Sequence, residues 1–71
     1  MSVAARLKAT RLEKGLSLRN LAQRAGIPSF TTIHQIEQGI NAASVEQVRR
    51  LAEALGVSPC WLAFGKKEEK Q

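Results

Sequence analysis

Five glycines, Gly15, Gly26, Gly39, Gly56 and Gly65, cut this chain into pieces of helix length, and Ser17, Ser29, Ser44 and Ser58 stand shortly after the first four. Glycine is favoured just past a helix end because it takes positive φ without a Cβ clash. Serine is favoured at a helix start because its hydroxyl accepts a hydrogen bond from an orphan backbone N–H. Stop and start signals at this interval dictate short helices, too short to pair as a long up-down bundle. No segment shows sustained two-residue alternation with β-branched enrichment, so no strand is predicted.

Apolar spacing fills in the pieces. The first helix runs from about Val3 to Lys14, with Val3, Leu7 and Arg11 on one stripe. The second runs from Ser17 to Ala25, with Leu18, Leu21, Ala22 and Ala25 at helical spacing. The third runs from about Ser29 or Phe30 to Gln38, with Ile33 and Ile36 inward. The fourth opens at Ser44, where Ser44 and Gln47 form an S-x-x-Q capping box. Val45, Val48, Leu51, Ala52 and Leu55 form its stripe, opposite Glu46, Arg49, Arg50 and Glu53. In the fifth, Ser58 caps, Pro59 takes the first helical position and Gly65 closes. The expected fold is all-α: a compact five-helix domain over residues 1–65, followed by a charged tail from Lys66 to Gln71.

The 71 residues carry a net charge of +5, and its placement matters more than its size. Residues 1–35 hold Arg6, Lys8, Arg11, Lys14, Arg19 and Arg24 against Glu13 alone, a net +5; residues 36–71 hold five basic and five acidic residues, a net zero. That asymmetry turns the first half toward a polyanion, set against the plainer reading of a soluble surface. One cysteine excludes an internal disulfide and a cysteine-based zinc cluster. The sequence implies no cofactor and no metal. His34 has no second ligand nearby, and no pair of acids, nor His34 with Cys60, suggests catalysis. Cys60 beside Trp61 reads as a small apolar residue. The apolar runs are too short to span a bilayer. No apolar stretch with a small-residue cleavage site opens the sequence, so a cytoplasmic binding module, not an enzyme, is expected.

The most specific stretch is GLSLRNLAQRAGIPSFTTIHQIEQG, from Gly15 to Gly39. Two short helices joined by a Gly-containing turn are the helix-turn-helix unit. Ala22, Ala25 and Gly26 supply small residues where the helices cross, and Ile33 and Ile36 supply the inner face of the second. Here the chain resembles the Cro/repressor-type (XRE-like) helix-turn-helix domains of phage repressors and small bacterial regulators, the lambda-repressor-like class. The matching stretches are Arg6–Ser17, Leu21–Ile27, Thr32–Gly39 and Leu51–Leu62, together covering about residues 3–65.

The resemblance implies a five-helix DNA-binding domain whose third helix, about Phe30 to Gln38, enters the major groove. It also implies a buried ion pair between Arg11 and Glu37, set against two ordinary surface charges. Three features depart from the family pattern. Gly26 to Gly39 is one residue longer than is usual in relatives, the extra residue lying near Pro28. Ser29 is the first choice of cap for helix three and Thr31 the second. Leu18 stands where relatives often carry a phosphate-binding Gln, with Arg19 next to it. Ile40, Asn41, Ala42 and Ala43 leave uncharged a loop that is often basic, removing one expected phosphate clamp.

Thr31 and Gln35 are the leading base-edge candidates, since Gln bonds adenine bidentately and Thr bonds donors or acceptors. Phe30 either meets a thymine methyl or folds back on Ile27 and helix two, with packing favoured. His34 faces outward, as an inert surface histidine or a base contact. By the resemblance, Ser17, Arg19, Asn20 and Gln38 sit where such domains meet phosphates; the plainer reading is caps and solvated side chains. Arg49 and Arg50 read as solvated. Trp61, Leu62 and Phe64 read as core closure, and the resemblance adds that Trp61 and Phe64 could supply a homodimer contact. The function implied is a sequence-specific, double-stranded-DNA-binding transcriptional regulator, a homodimer at least on DNA. The alternative is a protein-interaction module or antitoxin-like subunit, with Leu18, Phe30 and the uncharged loop meeting a protein partner.

Overall fold

The computed structural model describes residues 2–65; the expected tail over 66–71 lies outside them. Five helices follow in order: α1 Val3–Glu13, α2 Leu18–Ala25, α3 Phe30–Glu37, α4 Val45–Leu55 and α5 Pro59–Phe64. No strand occurs among the described residues. The local signals act where the sequence places them. Ser17, Ser29, Ser44 and Ser58 each cap a helix by accepting a backbone N–H, and Ser2 does the same for α1. The Ser44–Gln47 capping box is complete in both directions. Ser29 is the cap of α3, so the extra residue near Pro28 is absorbed in the turn and not in the helix.

One pair of bonds closes the first four helices. After α2, Ile27 N–H donates to Ala22 C=O at 2.9 Å and Gly26 N–H to Gln23 C=O at 3.3 Å. This is the Schellman closure, which needs Gly26 at φ +70°. The same pairing recurs at Gly15–Leu16, Gly39–Ile40 and Gly56–Val57. In such a closure the residue after the glycine usually packs back on the helix. Leu16, Ile27 and Val57 do so, whereas Ile40 is 68% exposed.

Each helix contributes one fully buried large side chain to a single core: Leu7, Leu21, Ile33, Leu51 and Leu62. Helix α1 packs on α3 and α5, and α2 packs on α3 and α4, while α4 also packs on α5. The α2–α3 pair is thereby braced by α4 and α1, which fixes the pose of its outer face.

Two arginines of α1 are structural, and this corrects the charge reading. Arg6 is buried; its Nε donates to Leu62 C=O and its Nη2 to Ala63 C=O, both at 3.0 Å, tying α1 to α5. Arg11 is buried against Glu37. Among residues 2–35 the exposed charges are therefore Lys8, Lys14, Arg19 and Arg24 against Glu13, a net +3 instead of +5. Two apolar assignments also change. Val45, read as part of the α4 stripe, is 88% exposed, because α4 buries its later turns through Leu51, Ala52 and Leu55. Phe64, read as core closure with Leu62, is 72% exposed; Leu62 fills the core and Trp61 is half-buried against it. The described residues contain no helix long and apolar enough to cross a membrane.

Candidate nucleic-acid interface

The site is built on α3. Ile33, Ile36 and Glu37 face inward and are buried. Helical spacing then turns Thr31, His34 and Gln38 to the exposed side, with Gln35 half-exposed at its border. These side chains offer hydroxyl, imidazole and carboxamide groups, the donors and acceptors that base edges require. At the start of α3 the Ser29 hydroxyl accepts Thr31 N–H at 3.2 Å. At its end Gln38 is the C-cap, with its N–H on His34 C=O.

The inner side of α3 is locked by charge as well as by packing. Glu37 Oε2 accepts from Arg11 Nε at 2.7 Å and Oε1 from Arg11 Nη2 at 3.0 Å, a bidentate pair. Arg11 Nη1 donates to Leu16 C=O at 2.9 Å, so one guanidinium joins α1, the α1–α2 turn and α3. Hydrogen bonding to Glu37 raises the Arg11 pKa above its ordinary value, against the opposing effect of burial. The ion pair expected from family resemblance is thus present, and its two partners share one buried site.

The start of α2 lies beside this face. The Ser17 hydroxyl accepts Asn20 N–H at 3.0 Å, and Leu21 N–H donates to Ser17 C=O. That leaves the N–H groups of Leu18 and Arg19 at the helix end without an intrahelical acceptor, where the helix dipole favours an anion. Arg19 and Asn20 are exposed there, while Leu18 packs half-buried against the core. The Arg19 guanidinium lies 4.5 Å from the centroid of the Phe30 ring. Stacking on an aromatic face leaves the guanidinium edges open for hydrogen bonds. Phe30 is itself half-buried against the core, which agrees with the packing reading of that residue.

Two contacts at this face are not legible in the sequence. One is the Arg19–Phe30 stack. The other is Asn41, whose Nδ2 donates to Gln35 Oε1 at 2.8 Å from the uncharged loop. Elsewhere, at the α1–α5 contact, Arg6 is a structural residue that the stripe through Leu7 and Arg11 could have shown: Arg6 and Thr10, also buried, flank that stripe. Arg49 and Arg50 are solvated, as expected, and both pair with Glu46. Those bonds, to Arg49 first and Arg50 next, hold the Glu46 carboxyl below its usual pKa.

Against the inner side and the C-terminal end of α3 lies an open, mostly apolar groove of about 710 Å³, lined by Val3, Ile36, Asn41, Val45, Val48 and Phe64 among others. Trp61 and Phe64, the two dimer candidates, differ here: Phe64 is open to solvent on this groove and Trp61 is half-buried. No group of three or more His, Cys, Asp or Glu able to hold a metal ion exists among the described residues.

Residues 2–63 match the family described as a helix-turn-helix domain. The HTH-type transcriptional regulator PrtR of Pseudomonas aeruginosa is 44% identical over 64 residues. That stretch is 90% of this chain and 24% of the relative, so the chain spans about a quarter of the length of the curated protein it matches.

Proposed function

The chain belongs to the helix-turn-helix domain family, and from that premise we propose that it is a sequence-specific, double-stranded-DNA-binding transcriptional regulator of the Cro/repressor type. The observation that carries the reading is the division of α3. Its inner side is fixed by Ile33, Ile36 and the Arg11–Glu37 pair, and its outer side keeps a strip of polar groups, of which Gln35 is held by Asn41. A helix about 10–12 Å across fits a major groove about 12 Å wide. In this reading Thr31 and Gln35 meet base edges, His34 adjoins them, and the half-buried Phe30 lies at the margin nearest a thymine methyl. Ser17, Arg19, Asn20 and Gln38 meet phosphates, with Arg19 aimed by its stack on Phe30. The role is binding and not catalysis, and its place of action is the cytoplasm.

Two copies would read half-sites about 34 Å apart, joined through the face that carries Trp61 and Phe64. The apolar groove that Phe64 lines favours the second reading, a protein partner docked on this fold. The experiment is fluorescence anisotropy on duplexes enriched from a random pool, across a salt series. Affinity should fall steeply with salt. Arg19→Ala should weaken binding to every sequence and reduce the log–log salt slope by about one, while Gln35→Ala should relax discrimination at one base pair per half-site. Affinity that stays flat with salt, or a pool in which no sequence is enriched, would overturn the DNA reading and favour the protein partner.

A further inference from the structure

Among the described residues, Gln35 is the one polar side chain on the outer side of α3 that is hydrogen-bonded to another side chain, and its partner lies outside the helix. The closure at Gly39 brings Ile40 N–H to Gln35 C=O at 2.9 Å and Asn41 N–H to the same oxygen at 3.4 Å. Asn41 then donates its side-chain Nδ2 to Gln35 Oε1 at 2.8 Å. The loop thus grips Gln35 at both its main-chain and its side-chain oxygen. A carboxamide has one oxygen that accepts and one nitrogen that donates two hydrogens. One bond leaves Oε1 a second lone pair, but it fixes the sense of the amide, so Nε2, with both its hydrogens unused among the described residues, is the freer end for another partner.

We propose that Asn41 is a specificity-determining positioning residue: it fixes the sense of the Gln35 carboxamide so that Gln35 presents donors to the DNA. This rests on the DNA-binding reading above. A free Gln favours adenine, because Oε1 accepts from N6 while Nε2 donates to N7. A Gln held by its oxygen favours an edge that only accepts, which is guanine with N7 and O6 side by side. Asn41 is exposed and uncharged, so it sets the choice of base without adding to the phosphate attraction.

The test is binding-site selection from duplexes with a randomised centre, run with the full chain as wild type, Asn41→Ala, Asn41→Asp and Asn41→Gln. Wild type should select guanine at one position in each half-site. Asn41→Ala should lose about tenfold in discrimination there, with an unchanged salt slope and an unchanged melting temperature. Asn41→Asp cannot donate, so the Gln35 amide should turn its nitrogen to the new carboxylate and its oxygen to the DNA. The preferred base should then move to one that donates, adenine or cytosine, and Asn41→Gln should restore part of the original preference. Selection of the same base with equal discrimination by all four proteins would overturn the proposal. Failure of the wild type to enrich any sequence would instead overturn the DNA-binding reading beneath it.

Discussion

Removing the Glu37 carboxylate is the sharpest test of how α3 is held. The Glu37 side chain is 1% exposed and its two oxygens take two of the three hydrogen bonds that the Arg11 guanidinium makes within the structure. In Glu37→Ala the Leu16 bond remains, but two guanidinium N–H groups face a buried void. Arg11 cannot shed its proton to escape, since a guanidinium stays charged in proteins. Stranding a buried charge in this way costs about 3–5 kcal/mol. Set against a total stability of roughly 4–11 kcal/mol at about 0.05–0.15 kcal/mol per residue, that is a large share. By the usual scaling for a domain this size, the midpoint should drop by at least about 12 °C. The control is Glu46→Ala, which removes pairs whose partners are all exposed and should melt near wild type. A second control is the double variant Arg11→Met with Glu37→Leu, which replaces the pair by apolar groups and should recover much of the loss. Circular-dichroism melts decide it. Equal losses in Glu37→Ala and Glu46→Ala, or a double variant as unstable as the sum of its singles, would refute the reasoning.

Two further predictions concern the edges of the fold. Hydrogen bonds from Arg49 and Arg50 hold the Glu46 pKa below its ordinary value, so the pairing stabilises the fold above the usual carboxylate range and is lost as pH falls through the lowered value. An NMR titration of the Glu46 carboxyl should show its midpoint rise in the Arg49→Ala/Arg50→Ala variant and, in wild type, with added salt; an unmoved midpoint would count against the pairing. Gly39→Ala places a Cβ at φ +76° with nothing within 4 Å, and should cost about 1–2 kcal/mol for the left-handed conformation alone. Gly65→Ala adds a Cβ 2.8 Å from Arg6 Nη1, so it should cost more than Gly39→Ala; an equal or smaller loss in urea titrations would show that α5 frays instead of holding Arg6.

What could be read from the sequence was what short-range chemistry decides. The serine caps, the Ser44–Gln47 box and the glycine closures each depend on residues within five positions of one another, and all stand where the sequence puts them. The inward residues of α2 and α3 follow from helical spacing in the same way. The misses lie where an amphipathic stripe runs past the body it packs on. Val45 has the right spacing but sits in a first turn that borders the open groove, and Phe64 sits at the last position of the six-residue α5. Spacing gives the direction of a side chain, not whether a neighbour is there to meet it.

The basic residues show the same limit with a functional consequence. Counted along the chain, Arg6 and Arg11 belong to a positive half that faces a polyanion. In the fold they are consumed, one by the carbonyls that end α5 and the other by Glu37. Phosphate attraction must then come from fewer groups, with Arg19 at the start of α2 the one tied to α3 through Phe30. Each phosphate contact contributes about 0.9 to the salt slope. Losing two arginines from the footprint therefore predicts a shallower slope than the first-half charge suggests. It also shifts the burden of discrimination onto the neutral strip of α3, where a single amide orientation, that of Gln35 under Asn41, carries more of the choice between sequences than it would beside a strongly basic loop.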